Sequence, residues 1–162
     1  MKKHLFTSLL ILFVLTGLNS KAHATEDDVM KVVYHADYAE PRRVSAMITS
    51  INNMVTTYQN DLVEYDVRIV FISHGIRFLT NDKLKGTPFA EDKALAESRS
   101  SLMQRLSGLQ AVQGVKLELC DITRQAIRLD REKLMPNVKL VRSGVVRIAE
   151  LQHNGFAYLK VE

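Results

Sequence analysis

Apolar positions along this chain repeat with two different periods. From Pro41 onward Val44, Met47, Ile48, Ile51, Val55 and Tyr58 recur at steps of three and four, with Arg42, Arg43, Asn52 and Gln59 off that stripe, which predicts an amphipathic helix. Pro41 suits its first turn. A second helix is predicted from about Asp92, where Leu95, Leu102, Leu106 and Leu109 share a face and Gly114 ends it. Between and around the helices lie short runs rich in β-branched residues: "MKVVYHAD" (30–37), "YDVRIVFISHG" (65–75) and "VKLELC" (115–120). The first two are almost continuously apolar, as strands buried on both faces are. The third alternates Val115, Leu117 and Leu119 against Lys116, Glu118 and Cys120, which predicts one face less buried than the other.

"IRFLTNDKLKGTPFAED" (76–92) is polar, contains Gly86 and Pro88, and is expected to be an irregular excursion able to cover a site or a subunit contact. "DITRQAIRL" turns the third strand into a short helix. A fourth short strand follows Pro136, up to Val141, then a helix capped by Ser143 and closed by Gly155, and "FAYLKVE" makes a last strand. Strict alternation of strands with crossover helices predicts an α/β fold, a flavodoxin-like three-layer sandwich with a mostly parallel five-stranded sheet.

The first 24 residues stand apart from this pattern. Lys2 and Lys3, an apolar run of 14 residues from Leu5 to Leu18, and Ala22-His23-Ala24 form the three parts of a cleavable secretory signal peptide. The run is short for a membrane span. Residues 25–29 then read as a linker and 30–162 as one domain, and the expected location is the periplasm, with no stable membrane insertion after cleavage. Cleavage removes Lys2, Lys3 and Lys21, so the net charge of +4 falls to about +1. With no Lys/Arg block interleaved with aromatics, nucleic acid is not an expected partner.

Candidate chemistry is sparse. Among residues after the leader, His35, His74 and His153 lack metal-ligand spacing, and no C-x-x-C, G-x-G-x-x-G or G-x-S-x-G occurs, so no metal or organic cofactor is expected. Met47 and Met54 read as packing residues. In an open parallel sheet a ligand crevice lies outside the carboxyl ends of the strands. "SHG" (73–75), "CDIT" (120–123) and "RSG" (142–144) are predicted to arrive there together. Cys120, the single cysteine, allows no intrachain disulfide, and it reads as a buried small hydrophobe, a reactive thiol or half of an interchain bridge. A following helix start lowers a thiol pKa, Asp121 opposes that, and Arg124 and Arg128 compensate Asp121; the sign of the sum stays open. His74 either hydrogen-bonds an anion or the sulfur, or pins a turn. Ser143 with the amides of Gly144 and Val145 is an anion cradle or simply a helix cap.

"KVVYHAD", Asn53 within the first helix, "VFISHG", "GVKLELC" and "SGVVRIAELQHNGFAYL", in that order over nearly all of residues 30–162, together resemble the DsrE/DsrF-like superfamily, most closely its exported single-domain members. The resemblance implies a parallel α/β domain that assembles into homotrimers or hexamers. It also implies that Cys120, matching the cysteine of the sulfur-relay members, carries a persulfide between sulfur donor and acceptor proteins. His74, Gly75, Ser143, Gly144 and Asn53 are the binding positions it suggests. The other reading of the residues is a non-catalytic oligomeric module that binds a small anion or a partner protein.

Overall fold

The apolar stripe of the first helix is buried at Val44, Met47, Ile48, Ile51 and Val55 and half-buried at Tyr58, on a helix, α1, that runs Pro41–Asn60. The computed structural model describes residues 29–161. The leader and the start of the linker lie outside them. Around α1 stand the strands β1 (Met30–Ala36), β2 (Tyr65–Phe71), β3 (Lys116–Cys120), β4 (Lys139–Val141) and β5 (Ala157–Leu159), with helices α2 (Lys93–Gln113), α3 (Asp121–Ala126) and α4 (Gly144–His153) between them. The sheet order is β4-β3-β2-β1-β5 and every pairing is parallel. Among the described residues, no helix is long and apolar enough to cross a membrane.

The two faces of the sheet are covered unequally. Alternate residues of β1, β2 and β3, including Val32, Tyr34, Ile69, Phe71, Leu117 and Leu119, form the large core with α1 and the leucines of α2, and Ile127 and Leu129 after α3 join it. The other face holds a smaller cluster of Val33, Val70, Ile148, Leu151 and Phe156, under α4 alone. Caps fall where the sequence places them. Asp92 accepts from the Leu95 amide at 2.8 Å, Gly114 closes α2 with φ of 65°, and Ser143 accepts from the Val146 amide.

Three expectations need correction. The second strand stops at Phe71, because Ser73 adopts φ of 53° and the chain turns into a 3₁₀ helix over Ser73–Phe78. The excursion is less loose than its composition suggests. Arg77 donates to the carbonyls of Ala39 and Ala90 and pairs with Asp92, while Arg99 donates to the carbonyls of Arg77 and Thr80 and pairs with Glu91. Two guanidiniums thus satisfy backbone oxygens that a buried loop would otherwise leave orphaned. Finally, the polar side of β3 is open only at Lys116: Glu118 is 1% accessible and Cys120 is buried.

Candidate functional site

β1, β2 and β3 pass their outgoing chain to the face that carries α1 and α2, whereas β4 sends α4 to the opposite face. The neighbouring carboxyl ends of β3 and β4 are therefore the point where connections diverge, and that is where an open α/β sheet forms its crevice. Cys120 is the last residue of β3 and pairs with Val141 of β4 at this point. Its side chain shares a face with Glu118, two residues back, and lies under the first turn of α4.

Gly144 makes that close approach of α4 possible. A Cβ added there would stand 2.5 Å from Cγ1 of Ile72 and 3.1 Å from Cβ of Cys120. The loop after β2 joins the same place: the Ser73 amide donates to Thr123 Oγ1 at 3.1 Å, tying the strained Ser73 to α3. The three strand-end stretches converge, but their side chains do different things. His74 is turned to the excursion, its ring edge-on to Phe89 at 5.1 Å and its Nδ1 3.3 Å from Ser73 Oγ, and no hydrogen bond joins it to Cys120 among the described residues. Gly75 is wedged against β1, where a Cβ would meet the Ala36 carbonyl oxygen at 2.2 Å. Ser143 caps α4 through the Val146 amide at 3.5 Å. Asn53 is exposed, 12 residues into α1 and so roughly 18 Å along it from the strand ends, at 1.5 Å per residue.

Cys120 as a residue is 5% accessible. The two helices that start beside it each expose apolar side chains, Ile122 on α3 and Val145 and Val146 on α4, each more than half exposed. Two concavities flank β4, one of about 430 Å³ beside Asp121, Ile122 and Gln125, the other of about 530 Å³ beside Ser143, Val146 and Arg147. Leu140, Val141 and Arg142 line both. Asp121 is held ionised, its carboxyl lowered below the usual range chiefly by the Arg124 bond at 2.6 Å, so its charge next to the thiol is compensated. Among the described residues no cluster of His, Cys, Asp and Glu could hold a metal ion.

Sequence reasoning missed the charged group beneath this crevice. Arg147 Nε and Nη2 donate to the two Glu118 oxygens at 2.6 and 3.0 Å, and Arg68 Nη1 donates to Glu118 Oε1 at 3.1 Å. Arg68 is itself paired with Asp66 and stacks on Phe156. Burial pushes the Glu118 carboxyl up, and the two guanidiniums outweigh it, so the net shift is down. The signal in the sequence was Glu118 itself, a carboxylate within a central strand, which has to be paired if it is buried.

Residues 27–161 match the DsrE/DsrF-like family model. No curated protein matches the chain. Several solved structures are similar, two of them as follows. A protein of unknown function, MTH1491 from Methanobacterium thermoautotrophicum, is 27% identical with a TM-score of 0.59, over 81% of this chain and 98% of that one. The ychN protein from E. coli is 18% identical with a TM-score of 0.52 over the same shares, a likeness of fold.

Proposed function

The chain belongs to the DsrE/DsrF-like family, and on that premise we propose that it is an exported sulfane-sulfur carrier whose working group is Cys120. The observation that carries this reading is the position of the thiol: the protein's single cysteine stands where β3 and β4 send their connections to opposite faces. The chemistry is an exchange without net redox change. The Cys120 thiolate attacks the outer sulfur of a donor persulfide; the donor's S–S bond breaks, its thiolate leaves, and Cys120 holds the new S–S bond. An acceptor thiolate then attacks the outer sulfur and Cys120 leaves as thiolate. With no second cysteine in the chain, nothing internal resolves the persulfide.

The apolar rim of Ile122, Val145 and Val146 suits contact with donor and acceptor proteins, and Arg142, exposed on both concavities, supplies a cation for an anionic sulfur species. In this account the leader delivers the protein to the periplasm, where it works as a homotrimer or hexamer. The second reading is an oligomeric binding module in which Cys120 is a packing residue, and its support is the burial of Cys120 as a residue. Treatment with polysulfide followed by intact-mass measurement separates them. The carrier gains sulfur that dithiothreitol removes, and Cys120→Ser gains none. A wild-type protein that neither alkylates near neutral pH nor takes up sulfur is the binding module.

A further inference from the structure

The first turn of α4 lies over Cys120, joined to β4 through Arg142 and Ser143 and, beyond that link, held to the sheet by one polar side chain. From Gly144 to Ile148, the side chains of Val145 and Val146 point to solvent, and Arg147 alone reaches the sheet before the buried Ile148. Arg147 lies three residues beyond Gly144, one turn along the same face of α4, while Glu118 lies two residues before Cys120 on the same face of β3. Helix and strand thus stand rung to rung: Gly144 on Cys120, then Arg147 on Glu118. The lower rung is a two-pronged, charge-assisted bond on a carboxylate with almost no access to solvent. The upper rung is a bare contact with no room for a methyl group.

We propose that Arg147 and Glu118 are positioning residues for the Cys120 site, a latch that holds the first turn of α4 over the thiol and sets how often it is reachable. The inference rests on reading Cys120 as the reactive group, but it concerns access and not sulfur chemistry. Releasing the latch leaves Val141 paired in the sheet and Ile148 and Leu151 in their cluster, so the turn between these two fixed points loosens over the thiol while the rest of the helix stays docked. Arg68 remains on Glu118 and keeps the carboxylate paired when Arg147 is gone.

The test is the rate at which a small uncharged maleimide modifies the folded protein near neutral pH, followed by intact mass, which reports Cys120 alone because the chain has one cysteine. Arg147→Met is expected to speed modification by about tenfold or more, with Arg147→Lys between it and wild type, since an ammonium keeps charge but loses the fork. Gly144→Ala, which pushes the turn off Ile72 and Cys120, is expected to act in the same direction and serves if Arg147→Met does not fold. Leu106→Ala, which loosens the opposite layer, controls for general destabilisation and is expected to leave the rate near wild type. The proposal is overturned if the Arg147 and Gly144 variants label at the wild-type rate, or if Leu106→Ala speeds labelling as much as they do. Polysulfide uptake on the same variants keeps the two ideas apart. Faster labelling without sulfur uptake upholds the latch and ends the carrier reading; sulfur uptake with unchanged labelling does the reverse.

Discussion

Truncating Glu118 to alanine removes the one carboxylate that two guanidiniums share across β2, β3 and α4. Three charge-assisted bonds are lost, at 2.6, 3.0 and 3.1 Å. Arg68 keeps both bonds to Asp66 and is partly solvated, so its share of the cost is small. Arg147 keeps only a distant approach to Glu150, at 3.7 Å, and is left facing the sheet. Removing one partner of a buried pair costs roughly 3–5 kcal/mol, and the partial exposure of both arginines places this case near the lower end, at about 3 kcal/mol. For a domain of this size that corresponds to a fall of about 10–15 °C in Tm.

The same truncation has a pH signature. The folded-state pKa of Glu118 is lowered, so its stabilisation is fully present above the unfolded-state value of about 4.3 and disappears as pH falls through the folded-state value. Urea unfolding of wild type and Glu118→Ala at pH 7, repeated at successively lower pH, should show a gap of about 3 kcal/mol that closes on acidification below about pH 4. A gap under about 1 kcal/mol at pH 7, or one that persists unchanged in acid, would refute the view that an ionised Glu118 holds α4 to the sheet.

Gly75→Ala should destabilise by about 1–3 kcal/mol or more in thermal unfolding, because the new methyl meets the rigid Ala36 carbonyl, and an unaffected Tm would show that the 3₁₀ turn is not wedged as described. His35, whose Nδ1 lies 3.0 Å from the Tyr158 hydroxyl, has its pKa lowered by burial, with Asp37 opposing. Its NMR titration midpoint should lie below the usual 6.5 or so, and the stability it contributes above that value should fade as pH drops through the midpoint. Leu106→Ala should cost about 2–5 kcal/mol in urea, since Leu106 is fully buried between α2 and the sheet.

Most of the fold is legible in the sequence because burial on this sheet is periodic. The stripe from Val44 to Val55, the leucines of α2, the αL glycine at 114 and the Ser143 cap are local signals that the tertiary structure satisfies without conflict. What could not be read depends on partners distant in sequence. Glu118 looks like a solvated strand residue until Arg147, 29 positions later, folds onto it. The excursion looks loose until Arg77 and Arg99 reach its carbonyls. For the site, the sequence brings the loops at 73, 120 and 143 to one end of the sheet, but not which way their side chains turn. His74 goes to Phe89, Gly75 to Ala36, and Gly144 to Cys120.

The most direct test of the account is the mass of the intact protein after exposure to inorganic polysulfide near neutral pH and removal of the excess. Wild type should carry added sulfur that dithiothreitol strips away, while Cys120→Ser, equally folded, should carry none. A wild-type mass that does not change, from a protein whose Cys120 also resists maleimide until it is unfolded, would contradict it and leave the thiol as a packing residue of β3.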